Sequence, residues 1–322
     1  MPGEHHARVA ARYQSPRRGT PGTLKMSTDA PTFIYQGHSD YVFAVAWSPD
    51  TTTIASGSRD KTVRVWNSTT GHDYGIYRGH ATYLLSVDWS PDGKYIASGD
   101  TDGIVHVWEA YTGKIVTIYH GHTRFVRSIA WSPDSTHIAS GGDYGDSTVQ
   151  VWAALTGNHL YTYNQQYRIF GVAWSSDGKR IVSGSFDGSV QAWDAFTGSN
   201  AFSYRDHSSP VYAIAWSPNG TLIASGGQDK TIQVWESTTG KSLCTYNGHT
   251  DAVKSLSWSP DSKYIASAGD DKKVEVWEAT SGKLITSYNG HTEWVRTVAW
   301  SPGGRYIASA SNQKVVVWPP FF

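Results

Sequence analysis

The stretch from residue 37 to residue 77, GHSDYVFAVAWSPDTTTIASGSRDKTVRVWNSTTGHDYGIY, decides the fold because its pattern recurs along the chain. An apolar run ends at Trp47, a Ser-Pro-Asp turn begins at Ser48, and a second run ends at Trp66. Tyr77 follows eleven residues after that second tryptophan. Self-similarity at a fixed period of roughly 20 to 50 residues is the signature of a repeat architecture.

Seven copies of this unit follow one another. The first tryptophan recurs at spacings of 42, 42, 43, 42, 42 and 42 residues, as Trp47, Trp89, Trp131, Trp174, Trp216, Trp258 and Trp300. A second series lies about 19 residues further on, at Trp66, Trp108, Trp152, Trp193, Trp235, Trp277 and Trp318. The two series account for fourteen of the fifteen tryptophans and leave Trp294 over.

Each period predicts four short strands, here called a to d. Strand a ends at the first tryptophan, strand b has the Ile54-Ala55-Ser56 pattern, strand c ends at the second tryptophan and strand d ends at the tyrosine. β-Branched and aromatic residues dominate these runs, and Pro-Asp, Asp-Gly and Thr-Gly turns separate them. The runs lack a 3.6-residue period, so we expect almost no helix.

Four short antiparallel strands, repeated seven times, predict an all-β, seven-bladed β-propeller. A blade buries its faces only against neighbouring blades, and a closed ring protects the strand edges. The seventh repeat stops after its strand c at Trp318, so we expect residues 32–35 to supply its missing strand d and close the ring. The predicted organisation is a flexible basic tail over residues 1–31 and a propeller over 32–322.

The repeats resemble the WD-repeat propeller family over residues 32–318, and their regularity resembles bacterial members. Gly-His dipeptides such as Gly37-His38 open five repeats, whereas the fourth has Gln165-Gln166 and the fifth has Asp206-His207. The family expects Asp six residues before the strand-c tryptophan, and Asn312 departs from this in the seventh repeat. The literal Trp-Asp dipeptide occurs only at Trp193-Asp194.

This resemblance implies a buried His-Ser-Asp-Trp hydrogen-bond tetrad in each complete blade, because such polar groups are costly to bury unless they bond one another. The implied tetrads are His38, Ser56, Asp60, Trp66; His80, Ser98, Asp102, Trp108; His122, Ser140, Asp146, Trp152; His207, Ser225, Asp229, Trp235; and His249, Ser267, Asp271, Trp277. Blade four lacks the histidine and blade seven the aspartate, so we predict that these two blades are the least stable.

A catalytic or metal-binding interpretation of these clusters is disfavoured. Five equivalent His-Ser-Asp sites in a structural repeat are not how enzymes build a catalytic triad. Histidines placed one per blade around a ring cannot converge within about 2 Å of one metal ion. We therefore predict no catalytic residues, no metal and no cofactor, and we expect that the chain is not an enzyme.

The amino-acid composition limits the classes of partner and the cellular compartment that we expect. The formal net charge of zero argues against a general polyanion binder, so nucleic acid is an unlikely partner. Cys244 is the only cysteine, which fits a reducing compartment, and we expect a cytoplasmic protein. No apolar run is long enough to span a membrane. We expect a monomer, and translation starting at Met1 or at Met26 remains open.

The resemblance implies that partners bind the face that carries the d–a and b–c connections, here called the top face. Of 21 positions that the repeat register places there, eight are aromatic, five are basic and one is acidic. Aromatic residues and arginine supply most interface hot spots. The predicted partner-binding residues are Tyr41, Phe43, Arg59, Tyr83, Phe125, Arg127, Arg168, Phe170, Phe186, Tyr212, Lys254, Trp294 and Arg296. The alternative is that these side chains pack between blades.

The leading functional interpretation is a non-enzymatic protein–protein interaction scaffold. Its partner would be a protein or peptide, with acidic or phosphorylated groups that match the basic residues of the top face. Two alternatives stay open at this stage. One is an enzyme or small-ligand binder that uses the central channel, and the other is a regulatory module detached from a signalling protein.

Overall fold

The structure, a computed structural model, describes residues 31–320; residues 1–30 of the predicted tail and residues 321–322 lie outside it. The described part contains 28 β-strands and no helix. They form seven antiparallel sheets of four strands each. The seven-bladed propeller predicted from the repeat is confirmed.

The strands follow the a-to-d order of the repeat, with strand a innermost. Strands a are β2 (Val42–Trp47), β6 (Leu84–Trp89), β10 (Val126–Trp131), β14 (Ile169–Trp174), β18 (Val211–Trp216), β22 (Val253–Trp258) and β26 (Val295–Trp300). Strands b are β3 (Thr53–Ser58), β7 (Tyr95–Asp100), β11 (His137–Gly142), β15 (Arg180–Ser185), β19 (Leu222–Gly227), β23 (Tyr264–Gly269) and β27 (Ile307–Ser311).

The outer half of each blade is equally regular. Strands c are β4 (Val63–Asn67), β8 (Val105–Glu109), β12 (Thr148–Ala153), β16 (Val190–Asp194), β20 (Ile232–Glu236), β24 (Val274–Glu278) and β28 (Lys314–Trp318). Strands d are β5 (Asp73–Tyr77), β9 (Ile115–Tyr119), β13 (His159–Asn164), β17 (Phe202–Tyr204), β21 (Ser242–Tyr246), β25 (Leu284–Tyr288) and, in blade seven, β1 (Phe33–Tyr35).

The core lies between blades, and aromatic stacking across each boundary explains the repeated tryptophans and tyrosines. The strand-d tyrosine of one blade packs on the strand-c tryptophan of the next. Tyr77 lies 4.4 Å from Trp108 and Tyr119 lies 4.3 Å from Trp152, centroid to centroid, with nearly parallel rings. All seven strand-c tryptophans are buried. Each blade therefore depends on its neighbours for its core.

The ring closes through the two ends of the described chain. Strand β1 pairs antiparallel with β28, with Phe33 opposite Val317 and Tyr35 opposite Val315. The innermost strand of blade seven, β26, also contacts the innermost strand of blade one, β2. Blade seven is thus assembled from both ends, as the incomplete seventh repeat predicts.

A β-bulge interrupts every innermost strand at the same position. In β2 the pairing with β3 shifts between Val42 and Ala44, which leaves Phe43 as the extra residue. The same shift occurs in the other six blades. A bulge bends its strand and redirects a side chain. The bulge residue stands four positions before the strand-a tryptophan, at the top of the channel.

Candidate partner-binding face

The polar clusters inside the blades are hydrogen-bond networks that tie each blade's top connections to its strands. In blade one, His38 Nδ1 lies 2.8 Å from Asp60 and its Nε2 lies 2.8 Å from Ser56 Oγ. Trp66 Nε1 donates to the same hydroxyl at 3.1 Å. Burial alone would raise the pKa of Asp60, but hydrogen bonds from His38 and Thr62 hold it well below its usual range. Blades three, five and six repeat this arrangement.

The tetrad expected in blade two is wrong in one member. His80 Nδ1 lies 2.8 Å from Asp100, not from Asp102. Asp100 ends strand β7, where blade one has Ser58, and its carboxylate also accepts the backbone N–H groups of Asp102 and Ile104. The Asp100 carboxylate at the end of strand β7 occupies the hydrogen-bonding position on His80, so Asp102 is not part of the network. Counting back from the tryptophan could not distinguish these two aspartates.

Among residues 31–320, the two incomplete tetrads leave buried indole groups without a hydrogen-bond acceptor. In blade four, Gln165 stands at the histidine position and its Nε2 donates to Ser183 Oγ at 2.5 Å, but no acceptor in this part of the chain reaches Trp193 Nε1. In blade seven, Ser311 replaces the carboxylate and its hydroxyl lies 2.7 Å from His291 Nδ1, and none of the described residues offers Trp318 Nε1 an acceptor. Lower stability of these two blades remains a prediction.

Burial argues against catalysis at the tetrads. The imidazoles of His38, His80 and His122 have no solvent-exposed side-chain surface. The same holds for His207 and His249. These Ser-His pairs are therefore shielded from a substrate, and their hydrogen bonds are made to other residues of the same blade. Across residues 31–320, no three side chains of the His, Cys, Asp and Glu types are grouped to hold a metal ion.

The bulge residues form a ring around the top of the central channel. We call this the channel-mouth ring; its members are Phe43, Leu85, Arg127, Phe170, Tyr212, Lys254 and Arg296. The ring bounds a cavity of about 350 Å³ between the innermost strands. Three of its members are aromatic, three are basic and one is leucine. The bulge therefore brings six of the thirteen predicted partner-binding residues together at one opening.

The other seven predicted residues surround this ring on the top face: Tyr41, Arg59, Tyr83, Phe125, Arg168, Phe186 and Trp294. The rings of Tyr83, Phe125, Phe186 and Trp294 are exposed, and half of the Trp294 surface is open to solvent. Their exposure favours partner binding over packing between blades, and partner binding stays a prediction. Exposed aromatic side chains beside a channel are the anchors that partner proteins commonly use.

Guanidinium groups lie over many of these aromatic rings. Arg168 lies 4.4 Å from the Phe186 ring centroid, Arg59 lies 5.0 Å from that of Tyr83, and Arg296 lies 4.9 Å from that of Phe43. Lys254 Nζ lies 3.8 Å from the Tyr212 centroid. These cation–π contacts order long side chains before a partner arrives, which lowers the entropy lost on binding.

Acidic residues of the same face were largely missed by the sequence analysis. Asp143 binds Arg127 with two hydrogen-bonding distances, 2.8 Å to Nε and 2.7 Å to Nη2, and lies 3.9 Å from Arg168. Its backbone N–H donates to Phe125 O as that of Arg59 does to Tyr41 O, so the two residues are equivalent. The b–c connection of blade three is two residues longer, which hid this equivalence from a count made from the tryptophan.

A second basic member of the channel-mouth ring is also paired. Lys254 lies 3.2 Å from Asp270, whose pKa is raised by burial although Lys254 opposes that effect. Within residues 31–320, Arg296 forms no ion pair, and its buried Nε has no hydrogen-bond acceptor. The channel-mouth ring thus holds three cations, two of them already neutralised.

Comparison with known proteins places this architecture in a family. The model described as WD domain, G-beta repeat matches seven times, at residues 29–67, 71–109, 113–153, 157–194, 198–236, 240–278 and 282–319. The chain belongs to the WD-repeat family. Each matched WD repeat begins just before strand d of one blade and ends with strand c of the next, so the repeats interlock around the ring.

Individual relatives match only a small part of this WD-repeat chain. Ribosome biogenesis protein BOP1 homologues of Drosophila virilis and Drosophila melanogaster are each 39% identical over 63 residues. That stretch is 20% of this chain and 8% of each relative. It is about one and a half repeats long, so the likeness concerns the repeat unit. In the part of the chain that is described, no helix has the length and apolar character needed to cross a bilayer.

Proposed function

We propose that this WD-repeat propeller is a protein-interaction scaffold that binds a protein or peptide partner on its top face. One observation carries the proposal. The bulge repeated in all seven innermost strands aims one register position at the channel mouth, and that position holds aromatic and basic side chains in six blades. Rigid strands that present aromatic and arginine side chains have the composition of an interface centre.

The ion pairs of the top face change the charge that is expected of the partner. Asp143 and Asp270 offset Arg127 and Lys254, so the top face is less positive than its arginine content indicates. A partner with a few acidic groups suits this surface better than a densely phosphorylated one.

We also propose a monomer in a reducing compartment such as the cytoplasm. Closure of the ring by β1 leaves no blade in need of a strand from a second copy. Cys244, the only cysteine, is a half-buried free thiol, which suits a compartment where disulfides are rare. The balanced net charge supports a protein partner rather than nucleic acid.

Capture from a lysate of the source organism, with variants of opposite faces, tests the scaffold proposal. The top-face variant combines Trp294→Ala and Arg296→Gln. The matched control combines Tyr111→Ala and Phe196→Ala, two exposed aromatic residues in the c–d turns of the opposite face. After equal folding is established by thermal unfolding, partners should be lost from the first variant and kept by the second. Partners lost only from the control variant would contradict the proposal.

A further inference from the structure

Within the channel-mouth ring, the capacity to bind an anion is concentrated at Arg296. Arg127 is bound by both Nε and Nη2 to Asp143, and Lys254 is paired with Asp270. Arg59 and Arg168 each lie within 4 Å of a carboxylate. Among the described residues, Arg296 alone in the channel-mouth ring is a cation without an ion pair, and its Nε is buried and unpartnered.

Three aromatic rings hold the Arg296 guanidinium in place. Its Cζ lies 5.2 Å from the Tyr41 centroid, 4.9 Å from Phe43 and 5.8 Å from Trp294. A guanidinium fixed in this way offers a planar pair of donors that matches a carboxylate. The surrounding rings reduce competing hydration and so strengthen a charged hydrogen bond.

A groove leads away from this guanidinium across blades one to three. Its walls include Arg296 at one end, Tyr41 and Tyr83 between, and Phe125 at the other end, around about 390 Å³. A second hollow of about 320 Å³ adjoins it, bounded by Phe125 and Tyr144. Tyr144 is 75% exposed and stands on the longer b–c connection of blade three. The groove therefore begins at the unpaired Arg296 and ends at two large aromatic rings, beside Arg124 and the ion pair between Arg127 and Asp143.

We propose that this groove binds an extended peptide segment with an Asp or Glu side chain on Arg296 and a large apolar side chain against Phe125 and Tyr144. The proposal rests on the scaffold function proposed above and specifies its ligand. A singly charged carboxylate suits one unpaired guanidinium. A dianionic phosphate is best bound by several free cations, and the neighbouring ones are paired.

Selection from a phage-displayed library of random linear peptides of about twelve residues, long enough to span such a groove, tests this ligand class. Wild-type protein should enrich peptides with an acidic residue separated from an aromatic or leucine residue. Arg296→Gln should remove the acidic preference and weaken the leading synthetic peptide about tenfold. Tyr144→Ser should weaken the apolar preference instead. Arg180→Gln is the matched control, because Arg180 also lies over an aromatic ring, at 4.2 Å from Phe202, but outside the groove.

The outcomes separate this inference from the scaffold function. Enriched peptides without an acidic preference, or a preference that Arg296→Gln leaves intact, would overturn the peptide assignment alone. A phosphoserine version of the leading peptide that binds more than tenfold tighter than the Asp version would overturn the carboxylate assignment. No enriched peptide, combined with partner loss from the top-face variant in lysate capture, would reject a linear ligand and keep the scaffold. No effect of top-face variants in either experiment would reject both.

Discussion

Tyr35 stacks on Trp66 with the two ring planes 2° apart and their centroids separated by 4.2 Å. Tyr35 belongs to β1, the short strand that completes blade seven, and Trp66 ends strand c of blade one. The Tyr35 hydroxyl also donates a hydrogen bond to Asp73, which accepts another from Arg64. The contact that joins neighbouring blades elsewhere is therefore repeated at the seam where the ring closes.

Replacing Tyr35 tests the strength of this seam. Tyr35→Ala should lower the free energy of unfolding by about 3–5 kcal/mol, because a buried aromatic ring is removed and a cavity remains. Tyr119→Ala, which removes the matching ring from Trp152, is the control and should cost a similar amount. Urea titration followed by tryptophan fluorescence measures both. An unchanged midpoint for Tyr35→Ala would show that β1 does not close the ring.

Blade four offers a test of the incomplete tetrad. Gln165→His should stabilise the protein by about 1 kcal/mol, because an imidazole can link Ser183 to Asp187 and complete the network seen in blade three. Amide hydrogen exchange should be fastest in blades four and seven of the wild type and slower in blade four of the variant. Fastest exchange in a blade with a complete tetrad would contradict this account of blade stability.

His106 predicts a dependence of stability on pH. Burial lowers its pKa to about 4, with smaller effects from nearby His80, Asp100 and His120, and its Nδ1 lies 2.7 Å from the Tyr77 hydroxyl. The folded state keeps this ring neutral, whereas the unfolded chain takes up a proton near pH 6.5. Above pH 6.5 the neutral, buried ring therefore does not lower the free energy of unfolding. As the pH falls from 6.5 towards 4, proton uptake by the unfolded chain lowers the free energy of unfolding by about 3 kcal/mol in total.

His106→Gln is the matched variant, because Gln150 at the same position in blade three accepts the Tyr119 hydroxyl at 2.7 Å. Free energies of unfolding measured from pH 7 to pH 4.5 should fall less steeply for this variant than for the wild type. Buried His291, whose pKa is also lowered to about 4 by burial, contributes equally to both proteins. Identical slopes would show that His106 is not the group responsible.

The ion pair between Arg127 and Asp143 makes a prediction about affinity. Asp143→Asn removes the carboxylate that binds Arg127 and lies near Arg168, so it should raise affinity for acidic peptides and steepen its dependence on salt. The gain should be several-fold in fluorescence-polarisation titrations at low ionic strength. Asp261→Asn, in an exposed turn of the opposite face, is the control. Weaker binding by Asp143→Asn would mean that Asp143 itself contacts the ligand.

The sequence repeat determines most of the fold. The spacing of Trp47 and its equivalents locates every blade, and the missing strand after Trp318 predicts closure by residues 32–35. The site is less predictable, because a count made back from the strand-c tryptophan fails where a loop is longer or a second carboxylate competes. Two extra residues in blade three hide the equivalence of Asp143, the partner of Arg127, with Arg59, and an aspartate on strand β7 displaces Asp102 from its tetrad. Sequence spacing carries no information about such local competition between carboxylates.

Site-specific photo-crosslinking tests the central claim most directly. A photoreactive phenylalanine analogue replaces Tyr144 on the top face or Tyr111 on the opposite face, two tyrosines that are 75% and 53% exposed. Irradiation in a lysate of the source organism, followed by mass spectrometry, identifies what lies against each position. The account predicts a defined crosslinked protein partner at position 144 and none at position 111. A defined partner at position 111 and none at 144 would contradict it.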